Sequence, residues 1–250
     1  MAAEGGSDAA ASPGAARETA APPVSGIDVQ VFANAGLGLA GQERLGAELT
    51  ADAAPILMAW QAPRALIAGR VDAHLPRFAR AQEELTDAGW PVFVRRSGGS
   101  ACPISPGTLQ IALVRVIDAS GGIDSEYRVL AGLLEGLLAS LGVAAEIGER
   151  ADAFCPGRYD MGVGPRKFAG LSQHWRPRGP VRIATTAATL IVEEDSEEMS
   201  RIVNLFYERA GGARRCSPAA VMDVRGALPP GTFPDGALMA TLRARLLGMG

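Results

Sequence analysis

An α+β fold, with a mixed and largely antiparallel sheet flanked by helices, is what this sequence predicts. Three observations carry the prediction. Strand-like apolar runs and amphipathic helical stripes follow one another without the regular strand–helix–strand repeat of a parallel sheet. Several neighbouring strand-like runs are joined by turns too short to hold a crossover helix, which makes those pairs antiparallel. Hydrophobic residues make up 48% of the 250, enough for one large core or two small ones.

Residues 1–25 are Ala, Gly, Ser, Pro and Glu with almost no large apolar side chain. Such a stretch buries too little surface to offset its ordering entropy, so a disordered tail is expected there and a single domain over residues 26–250. The domain opens on a strand-like run at 27–32. Residues 39–49 read as a helix, with Leu39, Leu45 and Leu49 near one face. Runs 55–60 and 65–68 read as short buried strands. Residues 77–88 form an amphipathic helix on the stripe Phe78, Ala81 and Leu85, stopped by Gly89. A strand at 92–94 leads through a glycine- and proline-containing loop to a strand at 109–117. The most regular helix is 126–141, closed by Gly142. A strand comes next at 143–147. Runs 159–163 and 167–173 suggest a hairpin around Gly164-Pro165, and 181–192 gives another strand. Residues 196–209 are helical, with Ser196 as cap and acids in the first turn. Two small terminal helices are expected at 217–224 and 235–247. There is no internal repeat.

The charge balance is Lys+Arg 24 against Asp+Glu 27, a net charge of −3. No global basic field invites nucleic acid or an anionic membrane. Apolar stretches such as 109–114 fall far short of the ~20 residues a membrane span needs, and no hydrophobic signal core succeeds the start Met. Cys102, Cys155 and Cys216 stand far apart, which argues against a disulfide framework or a zinc site. A reducing cytoplasm is therefore the expected location, with no metal. His74 and His174 are the only histidines, so a His-dependent triad has few candidates.

Gly36, Gly38 and Gly41 spell G-x-G-x-x-G, with Asp52 loosely placed after them. A dinucleotide turn needs a parallel strand–helix–strand unit. The residues after Asp52 do not supply one cleanly, so these glycines are read as small residues where a helix packs closely. Residues 162–167 resemble a phosphate loop but lack its G-K-[ST] ending, which excludes that reading. The loop Ser97-Gly98-Gly99-Ser100-Ala101 fits two readings equally: backbone amides that cradle an oxyanion, or a plain hairpin turn. The acidic run 193–198 is a solvated helix start. His174 and Trp175 fit a pocket wall or a solvated turn.

Cys155 stands before Pro156-Gly157, and Lys167 begins the next apolar run. A lone cysteine is commonly a small buried hydrophobe; the Pro-Gly turn instead argues for a loop, where reactive groups concentrate. A thiol reacts as its thiolate, which a nearby cation favours. That is the raw material of covalent acyl transfer.

Taken together, these segments resemble the lipoate-protein ligase and octanoyltransferase superfamily, which is related to the biotin ligases. The family's first motif, R-x-S-G-G-x-A followed by G-x-L, is present as Arg95, Ser97, Gly98, Gly99, Ala101, Gly107 and Leu109. Its lysine motif, K-x-x-G-x-[SA]-Q, is Lys167, Gly170, Ser172 and Gln173. Trp60, Pro63 and Gly69 are loosely similar to the approach to the first motif, and the match covers roughly residues 27–210. The C-P-G-x-Y-D of the amidotransferase branch is similar to Cys155, Pro156, Gly157, Tyr159 and Asp160. Many ATP-dependent ligases carry a histidine where Ile104 stands here. The resemblance implies a biotin/lipoate-ligase-like catalytic domain. It also implies an octanoyl or lipoyl group moved to a lysine of a lipoyl domain through a thioester on Cys155.

Lys167 would favour the thiolate, steady the oxyanion and supply a proton. Arg95, Ser97, Gly98, Gly99, Ser100, Ala101, Gly107, Asp160, Gly170 and Ser172 would hold the acyl group or substrate. The implied partners are the glycine-cleavage H protein and the E2 subunits of 2-oxoacid dehydrogenases, with no cofactor required. An ATP-dependent lipoate ligase is the rival enzyme, and a carrier-binding protein that keeps the fold is the rival outside catalysis. Biotin ligation ranks last because its glycine-arginine signature is missing.

Overall fold

The computed structural model describes Val24 and residues 26–249. The tail expected over residues 1–25 lies, Val24 apart, outside the described residues. In chain order the first elements are β1 (Gly26–Val31), α1 (Ala35–Glu48), β2 (Ile56–Gln61) and β3 (Ala65–Ala68). Next come α2 (Phe78–Asp87), β4 (Val92–Val94), β5 (Cys102–Ile104), β6 (Thr108–Ile117) and α3 (Ile123–Ala139). The last are β7 (Glu146–Ile147), β8 (Met161–Val163), β9 (Arg166–Arg178), β10 (Val181–Ile191), α4 (Ser196–Ala210) and α5 (Ala237–Leu247). A seven-stranded sheet runs β1-β2-β6-β10-β9-β8-β7, and a three-stranded sheet runs β4-β3-β5. Of the pairs between these strands, β1–β2 and β3–β4 are parallel and the others antiparallel.

The helices close two faces. On one, Leu130, Leu134 and Leu138 of α3 join Leu238, Leu242 and Leu246 of α5 against β6 and β10. Each such leucine, fully removed from water, contributes roughly 2 kcal/mol. On the other, α2 and α4 cover the small sheet through Ala81, Leu85, Val203 and Phe206. The α4 ends match local chemistry: Asp195 accepts from the Glu197 N–H at 2.8 Å, and Gly211 takes φ +81° beyond the last turn. Asp195, rather than the expected Ser196, is therefore the cap.

Several further expectations change. A parallel strand–helix–strand unit does exist, as β1–α1–β2. Its glycines nevertheless lie inside the helix, where a Cβ on Gly38 would collide with the Trp60 ring and one on Gly41 would meet Met58. They permit close packing, as the plainer reading held. The loop after β4 contains a strand, β5, which pairs with β3. The strand expected at 143–147 shrinks to two residues, and β9 runs on to Arg178. The helix expected at 217–224 is a single tight turn, Pro218–Ala220. Beyond it Val221 bridges to Lys167, and the Met222 N–H donates to the Lys167 carbonyl at 2.9 Å, so the chain leaves helical geometry to pair with β9. Among the described residues no helix is long and apolar enough to cross a membrane.

Candidate functional site

The site forms where the loop after β4 meets the turn before β8 and the start of β9. Arg95 leaves β4 with its N–H on the Ala68 carbonyl at 3.0 Å. Its side chain turns back into the loop between β4 and β5. Nε donates to the Gly98 carbonyl at 3.1 Å and Nη2 to the Ser100 carbonyl at 2.8 Å. Gly99 takes φ +94°, and a Cβ there would sit 2.5 Å from Arg95 Nη2 and 2.9 Å from Cys155 Sγ. Glycine is thus required twice over, by conformation and by space. Ser172 Oγ of β9 donates to Ser97 Oγ at 3.1 Å, tying the loop to the large sheet.

A buried network holds the loop from behind. The Ala101 N–H donates to Tyr207 Oη at 3.1 Å, Tyr207 Oη donates to Asp72 Oδ1 at 2.9 Å, and Asp72 Oδ2 accepts the Gly69 N–H at 2.9 Å. Burial, first of all, pushes the Tyr207 hydroxyl pKa up.

Cys155 has φ +46° and is the only non-glycine residue with positive φ among the described residues. Its sulfur accepts the Ser100 N–H at 3.2 Å and lies 3.3 Å from Arg95 Nη2. Burial alone would raise the thiol pKa. Arg95 first, then Lys167 and the Ser100 amide, outweigh it and hold Cys155 below the ordinary thiol value. Cys102 behaves oppositely: burial, reinforced by the charge of Cys155, pushes it up to about 11 despite the pull of Arg95 and Lys167.

Lys167 is 1% exposed. Its ammonium reaches the Phe154 carbonyl at 3.0 Å, the Cys155 carbonyl at 2.6 Å and Asp160 Oδ1 at 2.9 Å. Asp160 Oδ2 accepts the Gly157 N–H at 3.0 Å, which closes the Cys-Pro-Gly turn onto the ion pair. Burial raises the Asp160 pKa, and Lys167 opposes that shift without cancelling it. Gly170 clears the way for the lysine, because a Cβ there would stand 2.9 Å from both Cε and Nζ.

Cys155, Lys167, Arg95, Ser97, Gly170 and Ser172 line one cavity. Its apolar wall includes Leu39, Trp60, Ile67, Ala187, Ala188 and Ile191. A second cavity shares Leu39, Gln42, Arg95, Ser97 and Ala187 with it and extends to His174, which is thereby a pocket residue. Gly98, Gly99 and Ser100 line a groove outside the loop, with Pro156. Ala101 and Asp160 are buried behind the site. Gly107 is set apart: it forms the β5–β6 turn, where its carbonyl accepts the Val192 and Glu193 N–H groups, and a Cβ would collide with the Glu193 carbonyl.

Sequence reasoning missed several contributors. The pair Gln110–Thr189, with Thr189 Oγ1 donating at 2.7 Å, borders the cavity. A glutamine inside the apolar run 109–114 was its one signal. Nothing local announced Asp72 and Tyr207, which lie 135 residues apart.

A thiol in contact with a guanidinium, lining a cavity with an apolar wall on this arrangement of sheets, defines the class of fold and site to compare with known proteins. The model of the lipoyl protein ligase A/B catalytic domain matches residues 34–234, and the chain belongs to that family. An octanoyl-GcvH:protein N-octanoyltransferase of Macrococcus caseolyticus is 32% identical over 155 residues, which are 62% of this chain and 55% of that protein. The chain thus spans about half the length of the transferase relatives it matches first. A lipoyl-GcvH:protein N-lipoyltransferase of Listeria monocytogenes is 29% identical over 73% of this chain and 66% of that one. An uncharacterised protein of Cupriavidus necator is 30% identical over 87% of this chain and 93% of its own length. A crystal structure of lipoate-protein ligase A bound with ATP shares the fold, with a TM-score of 0.68 at 21% identity, covering 90% of this chain and 83% of that one.

Proposed function

We propose that this protein is an acyltransferase that moves an octanoyl or lipoyl group to a lysine of a lipoyl domain through a thioester on Cys155. The observation that carries this reading is the Cys155 sulfur, held in a positive-φ turn 3.2 Å from the Ser100 N–H and 3.3 Å from Arg95 Nη2. A residue kept in so unfavourable a conformation in a cavity wall is a candidate for function. The transferase relatives, whose names specify octanoyl-GcvH and lipoyl-GcvH, support the substrate class. The donor in this reading is the glycine-cleavage H protein, and the acceptors are the E2 subunits of 2-oxoacid dehydrogenases.

The thiolate attacks the donor's amide carbonyl. A C–S bond forms, and the C–N bond to the donor lysine breaks as that nitrogen takes one proton from Lys167. The acceptor's lysine ammonium then returns a proton to Lys167, and its amine attacks the thioester. A new C–N bond forms and the C–S bond breaks; the attacking nitrogen sheds its second proton to water, the released donor amine takes one up from water to become an ammonium, and the thiolate is restored, so the cycle balances in protons. Positive charge on the cavity wall and the Ser97–Ser100 backbone favour the oxyanion of each tetrahedral intermediate. No cofactor and no ATP enter these steps.

Mass spectrometry of the chain mixed with octanoylated H protein tests the reading. One octanoyl group should appear on Cys155 and be absent in Cys155→Ala; an adduct that persists in that variant sinks the covalent route. AMP release from lipoate and ATP without need of Cys155 would establish the ligase instead. Carrier binding with no turnover would leave a non-catalytic binding protein.

A further inference from the structure

The structure assigns to Arg95 the charge that holds Cys155 as a thiolate, and leaves Lys167 to clamp the backbone beneath the sulfur and to trade the proton. This rests on the reading of Cys155 as the nucleophile.

The donor geometry separates the two cations. Lys167 donates to the Phe154 and Cys155 carbonyls at 3.0 and 2.6 Å, and its ammonium pairs with Asp160 Oδ1 at 2.9 Å. Among the described residues no hydrogen bond runs from this ammonium to the sulfur, whereas one runs to it from Arg95. Gripping two successive carbonyls suits a residue at φ +46°, so the lysine supports the turn from which the thiol projects. Arg95 makes the opposite choice: Nη2 touches Cys155 Sγ at 3.3 Å, while the same guanidinium binds the carbonyls of Gly98 and Ser100 on either side of Gly99. Those two anchors fix its plane, and the missing Cβ of Gly99 leaves room for the contact.

The chemistry needs this division. A lysine that passes its proton to a leaving amine is neutral for part of each cycle. A guanidinium does not titrate in the working range, so its charge persists throughout. Other charged or titratable groups around the thiol and Arg95 are Lys167 with its partner Asp160, Cys102 on β5, Tyr127 on α3, and Asp72, whose charge acts on Arg95. Among the groups acting on Cys155, Arg95 is the strongest that favours the ionised form.

The test is the pH dependence of iodoacetamide alkylation on the full chain, from about pH 5 to about pH 9. Peptide mass spectrometry counts Cys155 separately from Cys102 and Cys216. Arg95→Gln should raise the Cys155 midpoint by at least about one unit, which slows alkylation about tenfold at pH values below the wild-type midpoint. Lys167→Met should move the midpoint less. A folded Arg95→Gln with the wild-type midpoint overturns the assignment, and so does a larger displacement in Lys167→Met. If Arg95→Gln does not fold, Arg95→Ala decides: millimolar guanidinium should restore much of its alkylation rate, and no restoration in folded protein overturns the assignment. The readout needs no acyl donor. An altered midpoint with no acyl loading would therefore sink the acyl-transfer reading and leave the role of Arg95 standing.

Discussion

Replacing Lys167 by Met tests the buried ion pair on which the site rests. The lysine and Asp160 are each 1% exposed, and their charged atoms meet at 2.9 Å. Methionine matches the length of the stem but removes the charge. It leaves a buried carboxylate without its cation and two carbonyls, of Phe154 and Cys155, without their donor. Breaking a buried pair by removing one partner costs about 3–5 kcal/mol. For a domain of this size that lowers Tm by roughly 6–20 °C.

The loss should depend on pH, with a definite sign. The folded-state pKa of Asp160 is already raised, by burial first, with Lys167 opposing. A carboxyl that binds its proton more tightly in the folded state stabilises the fold at low pH and loses that contribution as pH rises through the folded value. Without Lys167 the folded value climbs further, so Lys167→Met should be most destabilised in alkaline buffer and partly recover toward pH 4–5, about where free carboxyls titrate. Lys167→Met/Asp160→Asn removes the stranded charge and should regain a good part of the loss at high pH. Circular-dichroism melts of the wild type and both variants at two pH values measure this. A penalty below about 1 kcal/mol that is flat with pH, or a double variant no better than the single, would refute the reasoning.

Two further substitutions probe the wall and the support of the site. Tyr207→Phe removes the hydroxyl between the Ala101 N–H and Asp72, and should cost about 1–3 kcal/mol because both partners are buried; a melt within error of wild type would show that the network does not hold the loop. Ala187→Phe puts a ring into the wall shared by the two cavities. Octanoyl loading of Cys155 should fall at least about tenfold while acetyl loading from a small thioester survives, because a hydrophobic pocket discriminates by volume; equal loss of both, in folded protein, would place the acyl chain elsewhere.

Much of the candidate site was legible in the chain because its parts are local. Cys-Pro-Gly marks a turn, the spacing of Ser97, Gly98 and Gly99 marks a loop between strands, and Gly170 lies just beyond Lys167 on one strand. The helices α2, α3 and α4 show in their apolar stripes and end signals, which depend on neighbours a few residues away. Strand β5 escaped because Pro103 hides a three-residue strand inside a loop composition. The β1–α1–β2 unit escaped because pairing direction is a property of two distant segments.

By itself the sequence determined where the elements lie and which residues carry chemistry, since backbone preference and side-chain periodicity act over a turn or two. Only the tertiary structure decided which cation meets the sulfur. Arg95 lies 60 residues from Cys155, and Lys167 lies 12 residues from it, yet the arginine reaches Sγ while the lysine turns to the backbone and Asp160. That choice comes from buried donors being matched to acceptors in three dimensions, and from the absence of a Cβ at Gly99 and Gly170 that lets each cation approach.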